Sequence, residues 1–388
     1  MSNKGFKAIW VRGWLQIARR PLLWIAMLVF PLALMLLIST VLENGLPTKV
    51  PAVVIDKDGT ALSREVTQTL GGMQMVDLKG TVNSYTDARQ MLQEGKVYGF
   101  FLIPENFEAD LMAGRGPALS FYTNMSYFVP GSMLYRTFAS TAIYTKAGTV
   151  LGVAQSVGVN PDEAEGLVQP VSISVRGIGN PTLNYGVYIG NSFIPGVLQL
   201  MILMVTIFTL GEEVKKHTSR RLLQMADGSL LRALVAKLLP QTIIWTVLAF
   251  FMLSWLYRYM HYPMNGDWFW MCLSELMYVL ACQSLAIFIY GIVPNMRFSL
   301  SIAALLGILS FSLSGYSFPP ERMYPALQPF CWIFPARYNF LIYADIALGG
   351  RHVYYSRVWF AAYCVFYFLP FIVAPLIKKH YRKPVYTP

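Results

Sequence analysis

Six long uncharged stretches dominate the chain, at residues 21–42, 186–210, 238–257, 276–296, 298–320 and 358–377. Each is near the ~20 residues with which a helix crosses ~30 Å of hydrocarbon, so the pattern predicts about six transmembrane helices. The first is longer than the ~7–15-residue apolar segment of a cleaved signal and lacks a small-residue cleavage site, which marks it as a retained helix. Ahead of it, Phe6, Ile9, Trp10, Gly13 and Ile17 recur at helical spacing, with Lys4, Lys7, Arg12 and Arg19 on other faces. This predicts a helix over 1–20 lying in the membrane interface, either as an orientation anchor or as a contact for a partner on that side.

Between the first two stretches the pattern changes. Residues 43–185 alternate short β-like and helix-like runs. Strands are predicted at 51–56 and 97–103, and a third where Val171, Ile173 and Val175 alternate with Ser172, Ser174 and Arg176. Helices are predicted at 62–70, 86–94 and 105–112, with a longer one over 130–157. The segment reads as an inserted α+β domain, long enough to hold its own core. Further on, 211–236 is a basic connection of a short helix, a turn at Asp227-Gly228-Ser229 and the start of the next helix. Pro294-Asn295 makes a tight turn. Residues 318–355 are too apolar for a solvated loop and too broken by Pro319, Pro320, Pro325, Pro329 and Pro335 to span. They read as short re-entrant helices whose freed backbone groups are satisfied by protein. The transmembrane region then comprises 21–42 and 186–377, followed by a basic tail at 378–388.

Composition agrees with this division: 55% of residues are hydrophobic and 13% charged, against roughly 25% charged in soluble chains. The net charge of +11 is unevenly placed. If both termini are cytosolic, the segments on that side hold 16 of the 31 basic residues and only Glu212, Glu213 and Asp227 as acids. Residues 43–185, on the far side, carry 10 basic and 13 acidic residues. That is the positive-inside distribution of a multi-pass protein, and it accounts for the charge without nucleic acid. Cys272, Cys282, Cys331 and Cys364 are separated and lie in apolar surroundings, so they read as packing residues.

No catalytic or metal-binding pattern emerges. His217, His261, His352 and His380 are isolated, and neither a zincin, a nucleophile-elbow nor an ATP-binding P-loop motif occurs. Asp56-Lys57-Asp58-Gly59 lacks the further ligands of a calcium loop and reads as a strand-ending turn. Glu275, about two turns into the fourth span, is the one intramembrane acid. It reads either as a structural group, ion-paired with Arg258, which ends the preceding helix, or snorkelling to the nearby outer interface, or as a participant in substrate or proton handling. Asn191, Gln199, Gln241 and Gln283 read mainly as interhelical hydrogen-bonding residues, with a substrate-path lining as the alternative for a minority of them.

Glu212-Glu213-Val214-Lys215-Lys216-His217-Thr218, then Arg221-Leu222-Leu223-Gln224-Met225-Ala226 and Ala236-Lys237-Leu238-Leu239-Pro240, resembles in order the first inter-span loop of ABC-2-type transporter permeases. The run from Val54 to Arg64 and the run from Gly99 to Phe107 are similar to the drug-exporter-like branch with a large ectodomain. His217 stands where that family usually has glycine. The resemblance implies a permease subunit, forming a homodimer or heterodimer, that moves an amphipathic, drug-like or lipid-like solute out of the cytoplasm or inner leaflet of a bacterial inner membrane. ATP and magnesium would bind a separate ATPase, with no cofactor in this chain. Glu212, Glu213, Lys215, Thr218, Arg220, Arg221, Leu222 and Leu223 would form the element coupling the ATPase to the spans; the plainer reading is a basic loop that sets orientation. The extracytoplasmic domain suggests a periplasmic adaptor and an outer-membrane channel. Two other classes stand beside this one, an ion-coupled secondary transporter and a membrane-anchored receptor or enzyme.

Overall fold

The computed structural model describes residues 5–43, 45, 48–113, 115–156, 179–180, 184–316 and 318–385, with side chains omitted at 128 and 146–156. The chain forms two compact units: Met1–Gly45 with Gly177–Pro388, and Leu46–Arg176.

The first unit contains six helices long and apolar enough to cross a membrane: Pro21–Val41, Tyr185–Lys215, Leu230–Tyr259, Trp268–Ile292, Met296–Leu313 and Val353–Arg382. Several run past the uncharged stretches, because charge ends a greasy segment without ending the helix that carries it, and long basic side chains reach outward. Polar caps set the starts of spans two to six. Asn184, Ser229, Asp267, Asn295 and His352 each accept a hydrogen bond from a backbone N–H in the first turn, satisfying donors that the helix cannot satisfy itself.

The second and fourth spans form the centre of the unit, with 67% and 61% of their most apolar windows buried against 28%, 22% and 28% for the first, fifth and sixth. Lipid tails give helices no hydrophobic reason to associate, so close backbone approach and interhelical hydrogen bonds must serve. At Gly291 an added Cβ would collide with Val373 of the sixth span. The four in-span amides are all interhelical partners. Gln241 donates to Thr209 (2.6 Å), Thr242 donates to Gln283 (2.8 Å), Tyr257 donates to Asn191 (3.0 Å), and Gln199 accepts from the Ala336 backbone (2.9 Å).

Between spans five and six lie two 3-10 turns, Pro320–Arg322 and Gln328–Ile333, and the short helix Pro335–Tyr343, mostly buried. Arg337 fixes this segment. Its guanidinium donates to the Ser314 carbonyl (2.9 Å) and lies 4.2 Å from the Trp332 ring centroid, a cation–π contact strengthened away from water. The four cysteines are free.

The second unit is built on a four-stranded sheet ordered β2-β1-β3-β4, where β1 is Val50–Asp56, β2 Val76–Thr81, β3 Gly99–Ile103 and β4 Ser120–Thr123. β1 runs parallel to β2 and β3, and β4 closes the sheet antiparallel to β3. Alternate residues feed opposite cores: Val54, Phe101 and Ile103 pack with Val66, Leu70 and Phe138, while Val53, Ile55 and Phe100 pack with Ala88 and Val97. A strand covered on both faces is a nearly unbroken apolar run. That is why β1 and β3 are visible in the sequence, whereas the polar edges β2 and β4 are not. Helices at Ala61–Gly72, Tyr85–Gln93, Phe107–Met112 and Phe128–Ser156 lie within two residues of their predicted bounds. The strand predicted at 171–176 falls outside the described residues.

The turn after β1 is built by its own aspartates. Asp56 accepts from the amides of Asp58 and Gly59 (both 3.0 Å) and from the Ser63 hydroxyl (2.7 Å). Asp58 caps the helix Phe107–Met112, accepting from the amides of Phe107 (2.9 Å) and Glu108 (3.1 Å). Asp58→Ala is expected to destabilise this unit by about 1–2 kcal/mol. The check is faster hydrogen exchange at the Phe107 and Glu108 amides with the first span unaffected.

Candidate functional site

The resembling loop begins inside the second helix, which runs on to Lys215 and stops at His217, a residue with φ of 56°. That left-handed conformation suits glycine, which explains in physical terms the family's preference at this position. Thr218 then leads into the helix Ser219–Met225. Ser219, Leu222, Leu223 and Met225 are buried, while Arg220, Arg221 and Gln224 are exposed. The helix therefore docks on one face and offers a basic face to its surroundings.

Its docking is tied to a buried carboxylate. Glu213, 2% exposed, accepts from the Arg12 guanidinium at 3.0 and 2.7 Å, from Gln16 at 3.2 Å and from the Thr218 hydroxyl at 2.5 Å. Lys237 of the third span, itself buried, also donates to Glu213 and to Gln16 (2.9 Å). Glu212 pairs with Arg20 and with Lys216 (3.1 Å). Burial pulls the Arg20 guanidinium below its ordinary pKa, and the nearby Glu213 charge opposes this. Charges taken out of water are tolerable only when matched in this way. The two acids thus clamp together the helix Phe6–Ala18, the end of the second span and the start of the third. Gly13 permits the contact: a Cβ there would lie 3.1 Å from both the Lys237 carbonyl oxygen and Pro240.

The sixth span joins from its far end. Ser219 donates to the Tyr381 carbonyl (3.1 Å), Arg220 Nε to the Arg382 carbonyl (2.7 Å), and the Tyr381 hydroxyl to the Leu210 carbonyl (3.0 Å). Of the residues singled out in the sequence, Glu212, Glu213, Thr218, Leu222 and Leu223 hold the segment in place. Lys215, Arg220 and Arg221 are exposed. Sequence reasoning missed Arg12, Gln16 and Lys237. A signal existed: Arg12 and Gln16 flank the apolar stripe of the first helix, and Lys237 sits among Leu234, Ala236 and Leu238.

Glu275 requires a correction. Arg258 is not its partner: that guanidinium lies 5.1 Å from the Trp268 ring centroid. The helix begins at Trp268, and Glu275 is turned inward, where it accepts from Asn339 Nδ2 at 2.9 Å. Among the described residues it forms no ion pair. The carboxylate borders a small cavity that also touches Asn191, Tyr257 and Tyr343.

Fold and site together define a multi-pass α-helical membrane protein with an inserted α+β domain. The family model for ABC-2 family transporter proteins matches residues 21–373. The chain belongs to that family, whose members are membrane components of transporters. Among curated proteins the chain finds no match.

Proposed function

We propose that this chain is the permease subunit of an ATP-driven exporter, with hydrolysis carried out by a separate ATPase on the cytosolic side. The observation that carries the reading is the clamp around Glu213, which joins an exposed basic helix to the second and third spans, together with the bonds from Ser219 and Arg220 that tie the same helix to the sixth. A push on Arg220 and Arg221 is delivered to three spans at once. Packed elements of this kind pass on displacement instead of absorbing it. ATP binding to the partner would supply the difference in stability between inward-open and outward-open states.

In this reading the termini and the 211–236 loop lie in the cytosol of a bacterial inner membrane and residues 43–185 outside, an orientation that the basic excess supports. Two copies of this chain, or one with a related permease, would enclose the path of an amphipathic, drug-like or lipid-like solute. The exposed apolar side chains of the sixth span, such as Val365, Phe368 and Ile372, suit lipid or that second copy. The inserted domain would hand the solute to a periplasmic adaptor and outer-membrane channel. Co-expression with a candidate ABC ATPase subunit is expected to yield a complex with vanadate-sensitive hydrolysis. A chain that purifies alone and transports its solute on an ion gradient would refute the proposal.

A further inference from the structure

Glu275 faces a cavity among the second, third and fourth spans and the helix Pro335–Tyr343, whose polar lining is Asn191, Tyr257, Glu275, Asn339 and Tyr343. Its volume, about 20 Å³, admits one water and nothing larger. The Tyr257 hydroxyl donates to Asn191 Oδ1, the Asn191 amide to the Val187 carbonyl (2.9 Å), the Tyr343 hydroxyl to the same carbonyl (3.3 Å), and the Asn339 amide to one Glu275 oxygen. Among the described residues this leaves, besides phenol lone pairs, a second N–H on each amide, Asn339 Oδ1 and the other Glu275 oxygen. They supply the roughly two to four partners that a buried water needs.

Among the described residues no positive charge reaches Glu275, which is 6% exposed. The titratable groups within its electrostatic reach are Tyr257 on the third span, Cys272, Tyr278 and Cys282 on its own and Tyr363 on the sixth, with Tyr343 across the cavity. None of these can become cationic. The second span lines the cavity with neutral side chains only. Cations of adjoining segments are engaged elsewhere: Arg258 at Trp268, Arg337 at Trp332 and the Ser314 carbonyl, and Arg351 at Asp345 (3.1 Å). A carboxylate in such surroundings neutralises itself unless an ion joins it. A hard metal ion needs about six oxygen ligands, whereas here Asn191 Oδ1 already accepts from Tyr257 and amide N–H groups share the lining. A proton needs one oxygen.

We propose that Glu275 is a proton-binding site, a neutral acid while the cavity is closed that gives up its proton when the cavity opens to bulk water. The proton sits on the oxygen that Asn339 leaves free. On release that O–H bond breaks, its electron pair stays on the carboxylate, and the proton passes to the water and on to bulk; uptake is the reverse. The inference rests on the exporter reading only for the opening step, since holding the proton needs no ATPase.

The test is the infrared spectrum of the full chain in phosphatidylcholine nanodiscs near neutral pH, roughly three units above the ordinary carboxyl range, where exposed acids are ionised. A carboxylic C=O band that shifts in deuterated buffer is expected, and it should be lost in Glu275→Gln. Asn339→Ala should move it to higher wavenumber, because the C=O loses its donor. The absence of such a band from the wild type, a result that depends on no variant folding, overturns the proposal, as does a band that either variant leaves in place. Release is read from the rate of the deuterium shift, which should rise while a candidate ABC ATPase subunit hydrolyses ATP in the complex; an equal rate with hydrolysis running overturns the release step. Intact ATPase coupling without the band would sink this inference alone, whereas the band without ATPase coupling would sink the exporter reading alone.

Discussion

Glu213→Ala is expected to lower the stability of the membrane unit by about 3–5 kcal/mol, because it strands the buried Lys237 ammonium and leaves the Arg12 guanidinium without its carboxylate. The unfavourable quantity is the uncompensated charge and not the lost contact as such. Replacing both members with apolar residues, as in Glu213→Leu with Lys237→Leu, should therefore recover much of the loss. Arg12→Ala should cost less, since that side chain is 22% exposed and water can serve the groups left behind. The check is the unfolding midpoint in detergent for the single and double variants. If the double variant is as unstable as Glu213→Ala, the charge-matching account of the clamp fails.

The second large effect is functional. Arg220→Glu combined with Arg221→Glu should abolish at least about nine-tenths of permease-stimulated ATP hydrolysis while leaving the unfolding midpoint nearly unchanged. Both side chains lie on the exposed face of Ser219–Met225, and the buried face of Leu222, Leu223 and Met225 is untouched. Among the described residues the one intramolecular bond at risk, Arg220 to the Arg382 carbonyl, is exposed and worth about 1 kcal/mol. Like-charge opposition across a docking surface costs far more than a lost rim contact. Unchanged association and hydrolysis would leave this helix as an orientation-setting element only.

The six spans were legible because a bilayer demands long runs that no soluble core requires. β1 and β3 were legible because both faces of those strands are covered. The clamp was not. Arg12 and Glu213 are 201 residues apart and Glu213 and Lys237 are 24 apart, and pairing across such gaps is a matter of packing, which periodicity does not encode. Lys237 was read as a cytosolic charge ahead of a span starting at 238, whereas the helix begins at Leu230 and carries the ammonium into the unit. Glu275 was read correctly as costly but given the wrong neighbour. Arg258 is near it in sequence logic, and its partner Asn339 lies in the proline-broken segment whose fold no pattern specifies.

Sidedness is the most direct test. With the four native cysteines replaced, Lys216→Cys places a thiol beside the basic helix, on the loop assigned to the ATPase. A membrane-impermeant maleimide should label it in inverted vesicles and leave it unlabelled in intact spheroplasts. Labelling in spheroplasts would place the loop outside the cell, where no ATPase could reach it, and would contradict the coupling account.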